Sequence, residues 1–255
     1  MAYSPALAEM VFDLGLGDHV VGVAARTSLP AGQSRPIVGG AHKPNTEAIL
    51  ALEPDVVLTQ VDPKKFQPLR RLRPRVHIEA MTIETLDDIA SALRRIGRVA
   101  GRPEVGNAAA ERFTETLAAV RKRVAGRPRP RVLFVMGYER PYVAAGGTFV
   151  GDLIEVAGGV NAGADVPGTQ RWRAANAEAV VAARPDVLIC RVDPGAQDPA
   201  VAAWRKWADM PAVKAGRVFT VTDRHWLVPS ARVAALAEPL ADLVHPDTRA
   251  GGAAP

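Results

Sequence analysis

Five histidines, at positions 19, 42, 77, 225 and 245, and one cysteine, Cys190, are the side chains best suited to hold a metal or attack a substrate. No two of them stand at a metal-ligand spacing, and the chain contains no H-E-x-x-H helix, P-loop or G-x-S-x-G elbow. GLGDHVVG also misses the G-x-G-x-x-G spacing of a dinucleotide turn. Cys190 lies in the apolar run VLIC, where a lone thiol reads as a small buried hydrophobe. No catalytic residue and no catalytic cofactor is therefore assigned. The chemistry that remains is that of holding a ligand. Trp172 stands between Arg171 and Arg173, and Trp226 between His225 and Leu227, both in polar stretches expected to be loops. Tyr138, Tyr142 and Phe149 are expected near the same place. Such rings stack on a ligand, while Trp204 and Trp207, at i and i+3 of a helix, read as core.

Asn45 and Asn176 have N-cap side chains, which puts Glu47 and Glu178 in the first turns of two helices. Two readings of these glutamates stand. Each carboxylate steadies its own helix through the dipole, or the two form a symmetric pair of docking charges.

The elements that position these residues announce themselves by repetition. NTEAILALEPDVVLT (Asn45 to Thr59) returns as NAEAVVAARPDVLIC (Asn176 to Cys190), with seven of fifteen positions identical and no gap. Each copy reads as a short amphipathic helix, a Pro-Asp turn and a buried parallel strand. The spacing exceeds any solenoid period, so it implies two similar α/β lobes facing a ligand cleft. The expected fold is two Rossmann-like lobes with parallel sheets, spanning 1–102 and 127–255, joined by one long helix over 103–126. That helix follows from apolar residues at Val105, Ala109, Phe113, Leu117, Val120 and Val124, with Pro103 before them and Gly126 after. At 1.5 Å per residue it would be about 34 Å long and act as a stiff strut. Other expected elements are a helix from Pro5 to Leu14, a first strand HVVGVA (His19 to Ala24) and a last helix kinked at Pro239.

At 255 residues the chain fits two lobes of ordinary size, and 48% hydrophobic with 23% charged residues describes a globular protein. Its net charge of +5 is scattered except for RKRVAGRPRPR (Arg121 to Arg131), read as cations at a helix C-terminus and a Pro-rich linker. No aromatic-interleaved basic face accompanies it, so nucleic acid is not an expected partner. No window is long and apolar enough for a membrane span, and MAYSPALAEMVFDLG carries no signal-peptide pattern.

The order of these pieces resembles the substrate-binding proteins of cobalamin and iron-chelate (siderophore, haem) ABC importers, in the subclass with a single linker helix. The resemblance covers nearly the whole chain and rests on SPALAEMVFDLGLGDHVVGV, VGGAHKPNTEAILALEPDVVL, the strut helix, FVGDLIEVAGGVN, NAEAVVAARPDVLI and KAGRVFTVTDRHWLVPSAR. It implies a periplasmic or extracytoplasmic monomer that binds cobalamin and delivers it to a permease of two transmembrane subunits with an ATPase. Glu47 and Glu178 would bind arginines on the permease subunits, and His42, Trp172 and Trp226 would occupy cleft positions. The chain has Ala41-His42-Lys43 where cobalamin-type members carry an aromatic. A ferric siderophore or haem is the alternative cargo, with Arg171, Arg173, Arg224 and Arg232 meeting an anionic chelate and His42 or His225 supplying an axial ligand.

Overall fold

A computed structural model describes residues 1–40, 43–194 and 199–246. The chain divides into two compact units. Unit 1 comprises Met1–Ile83, Asp87–Thr114 and Val228–Ala231, and unit 2 comprises Glu84–Leu86, Glu115–Leu227 and Arg232–Pro255.

Unit 1 runs β1 (Ala2–Tyr3), α1 (Pro5–Asp13), β2 (Gly39–Gly40), β3 (Lys43–Pro44), α2 (Thr46–Ala51), β4 (Val56–Thr59), α3 (Gln67–Leu72), β5 (His77–Ala80) and α4 (Leu86–Val99). Strands β1, β4 and β5 form a parallel sheet, with Leu58 opposite Ala2 on one side and Glu79 on the other. The segment His19 to Ala24 is not the strand that its apolar run suggested. Gly17–His19 is a 3-10 turn, and only Val23 bridges the sheet, between Ala2 and Ile37. The Ser4 hydroxyl caps α1 at Leu7 N, with Pro5 in the first turn.

The long helix α5 (Pro103–Val124) starts in unit 1 and ends in unit 2, the division falling between Thr114 and Glu115. In its second half the apolar stripe is buried as spaced: Phe113, Leu117, Val120 and Val124. In its first half Val105 and Ala109 are half-buried, and the inward positions belong to Gly106 and Ala110. The reason is a close helix crossing. A Cβ on Gly106 would stand 2.5 Å from the Leu93 carbonyl oxygen and 3.0 Å from Gly97 Cα, so only glycine fits.

Unit 2 continues with β6 (Arg131–Met136), β7 (Tyr142–Ala144), α6 (Phe149–Val156), β8 (Val160–Asn161), β9 (Trp172–Ala174), α7 (Ala177–Ala182), β10 (Val187–Arg191), α8 (Pro199–Arg205), α9 (Pro211–Lys214), β11 (Val218–Val221) and α10 (Ala237–Val244). Its sheet has the order β11-β10-β6-β7-β9, with β8 alongside β6. Strands β11, β10 and β6 are parallel, and β7 runs antiparallel between β6 and β9. Pro239 does not kink the last helix. It lies in the first turn of α10, where its missing N–H leaves no bond unmade.

The repeat is structural. Asn45 Oδ1 accepts from Ala48 N at 3.1 Å, and Asn176 Oδ1 accepts from Ala179 N at 2.8 Å. Ile49 and Val180, at matching positions, are both fully buried. Each helix exits through a left-handed residue before its Pro-Asp, Glu53 at φ 43° and Arg184 at φ 46°.

His245, just after α10, is buried near Arg127, Arg217 and Arg123. Burial first, then the charge of Arg127, pushes its imidazole below the ordinary value of 6.5. The unfolded chain therefore binds this proton more readily than the folded one. Stability from the neutral ring is complete above pH 6.5 and falls as pH drops below it. The urea midpoint should decline over that range, and His245→Gln should remove this part of the decline. An unchanged slope in the variant would assign the decline to other groups.

Candidate functional site

In open α/β sheets, ligands sit at the loops after the C-terminal ends of the strands. In unit 2 those loops carry Tyr138 after β6, and Arg224, His225 and Trp226 after β11. The β11 loop is a 3-10 turn capped by Asp223, whose Oδ1 accepts from His225 N at 2.8 Å. The same oxygen lies 2.6 Å from His225 Nδ1, which fixes the ring. Burial alone would raise the Asp223 carboxyl. The His225 amide and imidazole, with Arg224 nearby, hold it below its usual range.

Trp172 is placed differently, at the start of edge strand β9 opposite Ala144. Its half-buried ring meets Phe134 edge-on at 6.2 Å and Phe149 at 6.3 Å. Phe134 also stacks on Trp226, with ring centroids 5.2 Å apart and planes 20° from parallel. One buried strand residue thus ties the two tryptophans together. Trp226 itself is only 3% exposed. Its polar neighbours in sequence suggested a loop ring free to stack on a ligand, whereas the ring is buried and stacked on Phe134.

Tyr138 is half-buried, packed at 4.7 Å against Trp204, and its hydroxyl accepts from Trp207 Nε1 at 3.2 Å. Tyr142 is 47% exposed on β7, facing Ala174 of β9. Arg171 donates to the Gly147 carbonyl at 2.5 Å, and Arg173 to those of Gln170, Ala164 and Val166. Both guanidiniums are thereby pinned by backbone carbonyls, Arg173 on the face of β9 opposite to Trp172. Of the residues read from sequence, Trp172 and Tyr142 share an accessible face of β9 and β7. Phe134 was not among the residues read from sequence, since a phenylalanine in an apolar strand carries no signal of its own.

In unit 1 the corresponding strand ends carry Tyr3, Ser4 and Gln60. The Tyr3 hydroxyl donates to the Gly40 carbonyl, and Ser4 Oγ bonds the Gln60 side chain. Tyr3 thus holds the antiparallel pair β2–β3, whose strands flank His42 in sequence. His42 lies outside the described residues. Gln60, exposed at the end of β4, is a further candidate contact that the sequence reading passed over. A cavity of about 300 Å³ in unit 1 lies beside Met1, Val21, Val56 and Ile96, and none of the sequence-derived site residues lines it.

Glu47 and Glu178 are exposed in the first turns of α2 and α7. Neither side chain is in an ion pair among the described residues. Among those residues no three His, Cys, Asp or Glu side chains cluster as metal ligands, and no helix is long and apolar enough to cross a membrane.

Two α/β units share one long helix and carry aromatic and cationic side chains at the ends of their strands. The chain belongs to the periplasmic binding protein family, whose model matches residues 1–225. It is a transport component and not an enzyme. The cobalamin-binding protein of Halobacterium salinarum is 29% identical over 252 residues, covering 95% of this chain and 67% of that protein. The vitamin B12-binding protein of Yersinia pestis is 27% identical over 217 residues, covering 84% and 76%. Among solved structures, the vitamin B12-binding protein BtuF of Vibrio cholerae aligns with a TM-score of 0.79 at 25% identity, over 98% of this chain and 97% of that one. The haem-binding protein RhuT of Roseiflexus aligns at 0.78 and 27%, over 97% and 98%.

Proposed function

We propose that this chain is the substrate-binding component of an ABC importer for a corrinoid, with cobalamin as its cargo. The observation that carries the reading is the unit 2 surface. An accessible Trp172 edge and Tyr142 share one face of neighbouring strands, and the arginines on either side of Trp172 in sequence are fixed by backbone carbonyls. Flat rings with fixed donors suit a large macrocycle that has an apolar face and amide or phosphate groups at its rim. The cobalamin-binding relatives support this choice of cargo. Function then places the protein outside the cytoplasmic membrane, with Glu47 and Glu178 docking on arginines of the permease.

Thermal denaturation with cobalamin, haem and ferric siderophores tests the cargo. A ligand at 100 times its dissociation constant adds about 2.7 kcal/mol, so the true cargo should raise the melting temperature by several degrees. A shift with haem or a siderophore and none with cobalamin would overturn the corrinoid reading. Trp172→Ala should weaken cargo binding roughly tenfold, the worth of one stacked ring at about 1.4 kcal/mol. Titration of the variant checks it, and undiminished affinity would remove Trp172 from the site.

Haem is the second reading, and one observation favours it. Asp223 orients the His225 imidazole as carboxylates orient metal-binding histidines. A change in the visible spectrum of bound haem on His225→Ala would mark that residue as an iron ligand.

A further inference from the structure

A second basic run, KKFQPLRRLRPR from Lys64 to Arg75, has six cations and no acid in twelve residues. The fold leaves most of these charges on the surface of unit 1. Phe66 and Leu69, each 1% exposed, anchor the run to the core of unit 1. That anchoring turns Lys64, Lys65, Arg70, Arg71 and Arg75 to the outside. Leu72, between Arg71 and Arg73, is 67% exposed. Arg73 pairs with Glu53 at 3.6 Å, while Lys64, Arg70, Arg71 and Arg75 make no ion pair among the described residues. Pro68 and Pro74 stiffen the run on either side of its arginine pair.

We infer that this face of unit 1 is a docking surface for an anionic phospholipid bilayer. Exposed cations on either side of one protruding leucine in sequence match the headgroup region, where phosphates take the charge and the apolar side chain reaches the acyl boundary. Nucleic acid fits less well. Phe66 is buried, so no aromatic side chain of the run offers a stacking face, and α3 is too short to fill a groove. On the proposed reading that Glu47 docks on a permease, α3 lies on the membrane side as well, because it packs on α2, whose first turn carries Glu47. The inference does not depend on the cargo, and the test needs no permease.

The experiment is flotation of the purified chain with phosphatidylglycerol-containing vesicles and with phosphatidylcholine vesicles, at low and high salt. Binding is expected to the anionic vesicles only and to fade with salt. Each basic residue near such a surface contributes roughly fivefold in partition. Arg70→Glu/Arg71→Glu should therefore weaken binding tenfold or more, and Leu72→Ser should weaken it further. The control Arg121→Glu/Lys122→Glu removes the same net charge from α5 and should leave binding within about twofold of the parent. Melting curves verify that each variant is folded, and Lys64→Glu/Arg75→Glu replaces the first pair if it is not. No binding to anionic vesicles, or equal losses in variant and control, would overturn the inference. Tighter salt-resistant binding to single-stranded DNA than to vesicles would do so as well. None of these outcomes bears on whether Glu47 and Glu178 engage a permease.

Discussion

Trp226→Ala should unfold with a stability loss of about 3–5 kcal/mol, the range for removing a buried tryptophan from a packed core. The ring is 3% exposed and stacked on Phe134, so truncation opens a cavity against a strand in the middle of the unit 2 sheet. Trp172→Ala should cost much less, because its half-buried ring lies on an edge strand and touches Phe134 and Phe149 only at the rim. Urea denaturation of both variants without cargo decides the matter. Equal losses would contradict the different burial of the two rings. A Trp226→Ala protein as stable as the parent would return that ring to the ligand surface. The contrast also separates roles, since weaker cargo binding by Trp226→Ala would reflect a disturbed sheet, whereas the same loss in Trp172→Ala would reflect a lost contact.

The two tryptophans show where sequence reading stops. Both have charged or polar neighbours along the chain, yet burial is decided by what arrives from elsewhere, and Phe134 arrives from β6 to cover one of them. The residues from His19 to Ala24 fail in the same way. Their apolar run looks like a strand, but its neighbours Ala2 and Ile37 meet it at a single residue, so a bridge forms and a ladder does not. The duplicated helix–turn–strand was legible because its information is local: an N-cap, a first-turn acid, one inward residue and Pro-Asp. Even there the left-handed exit was hidden, since Glu53 and Arg184 share a conformation and no chemistry. The helix α5 was legible in length because its punctuation is local, while the exchange of Gly106 and Ala110 for Val105 and Ala109 on its inner face depends on Gly97 across the crossing.

Glu47→Arg and Glu178→Arg should each weaken stimulation of the partner permease's ATPase roughly tenfold at sub-saturating protein, and the double variant roughly a hundredfold. The expected single-site effect corresponds to about 1.4 kcal/mol, modest for an exposed carboxylate turned into a charge that repels arginine. Multiplication in the double follows if the two docking sites act independently. Cargo affinity should stay unchanged, because both side chains stand at helix starts and not at the strand ends that carry the rings. The competing account gives these glutamates only a helix-end role. Losing a favourable first-turn charge then costs roughly 0.3–1 kcal/mol of stability per site and leaves transport intact. The two accounts part at the double variant, since a folded protein with full cargo affinity and normal ATPase stimulation would leave the glutamates as helix-end charges and nothing more.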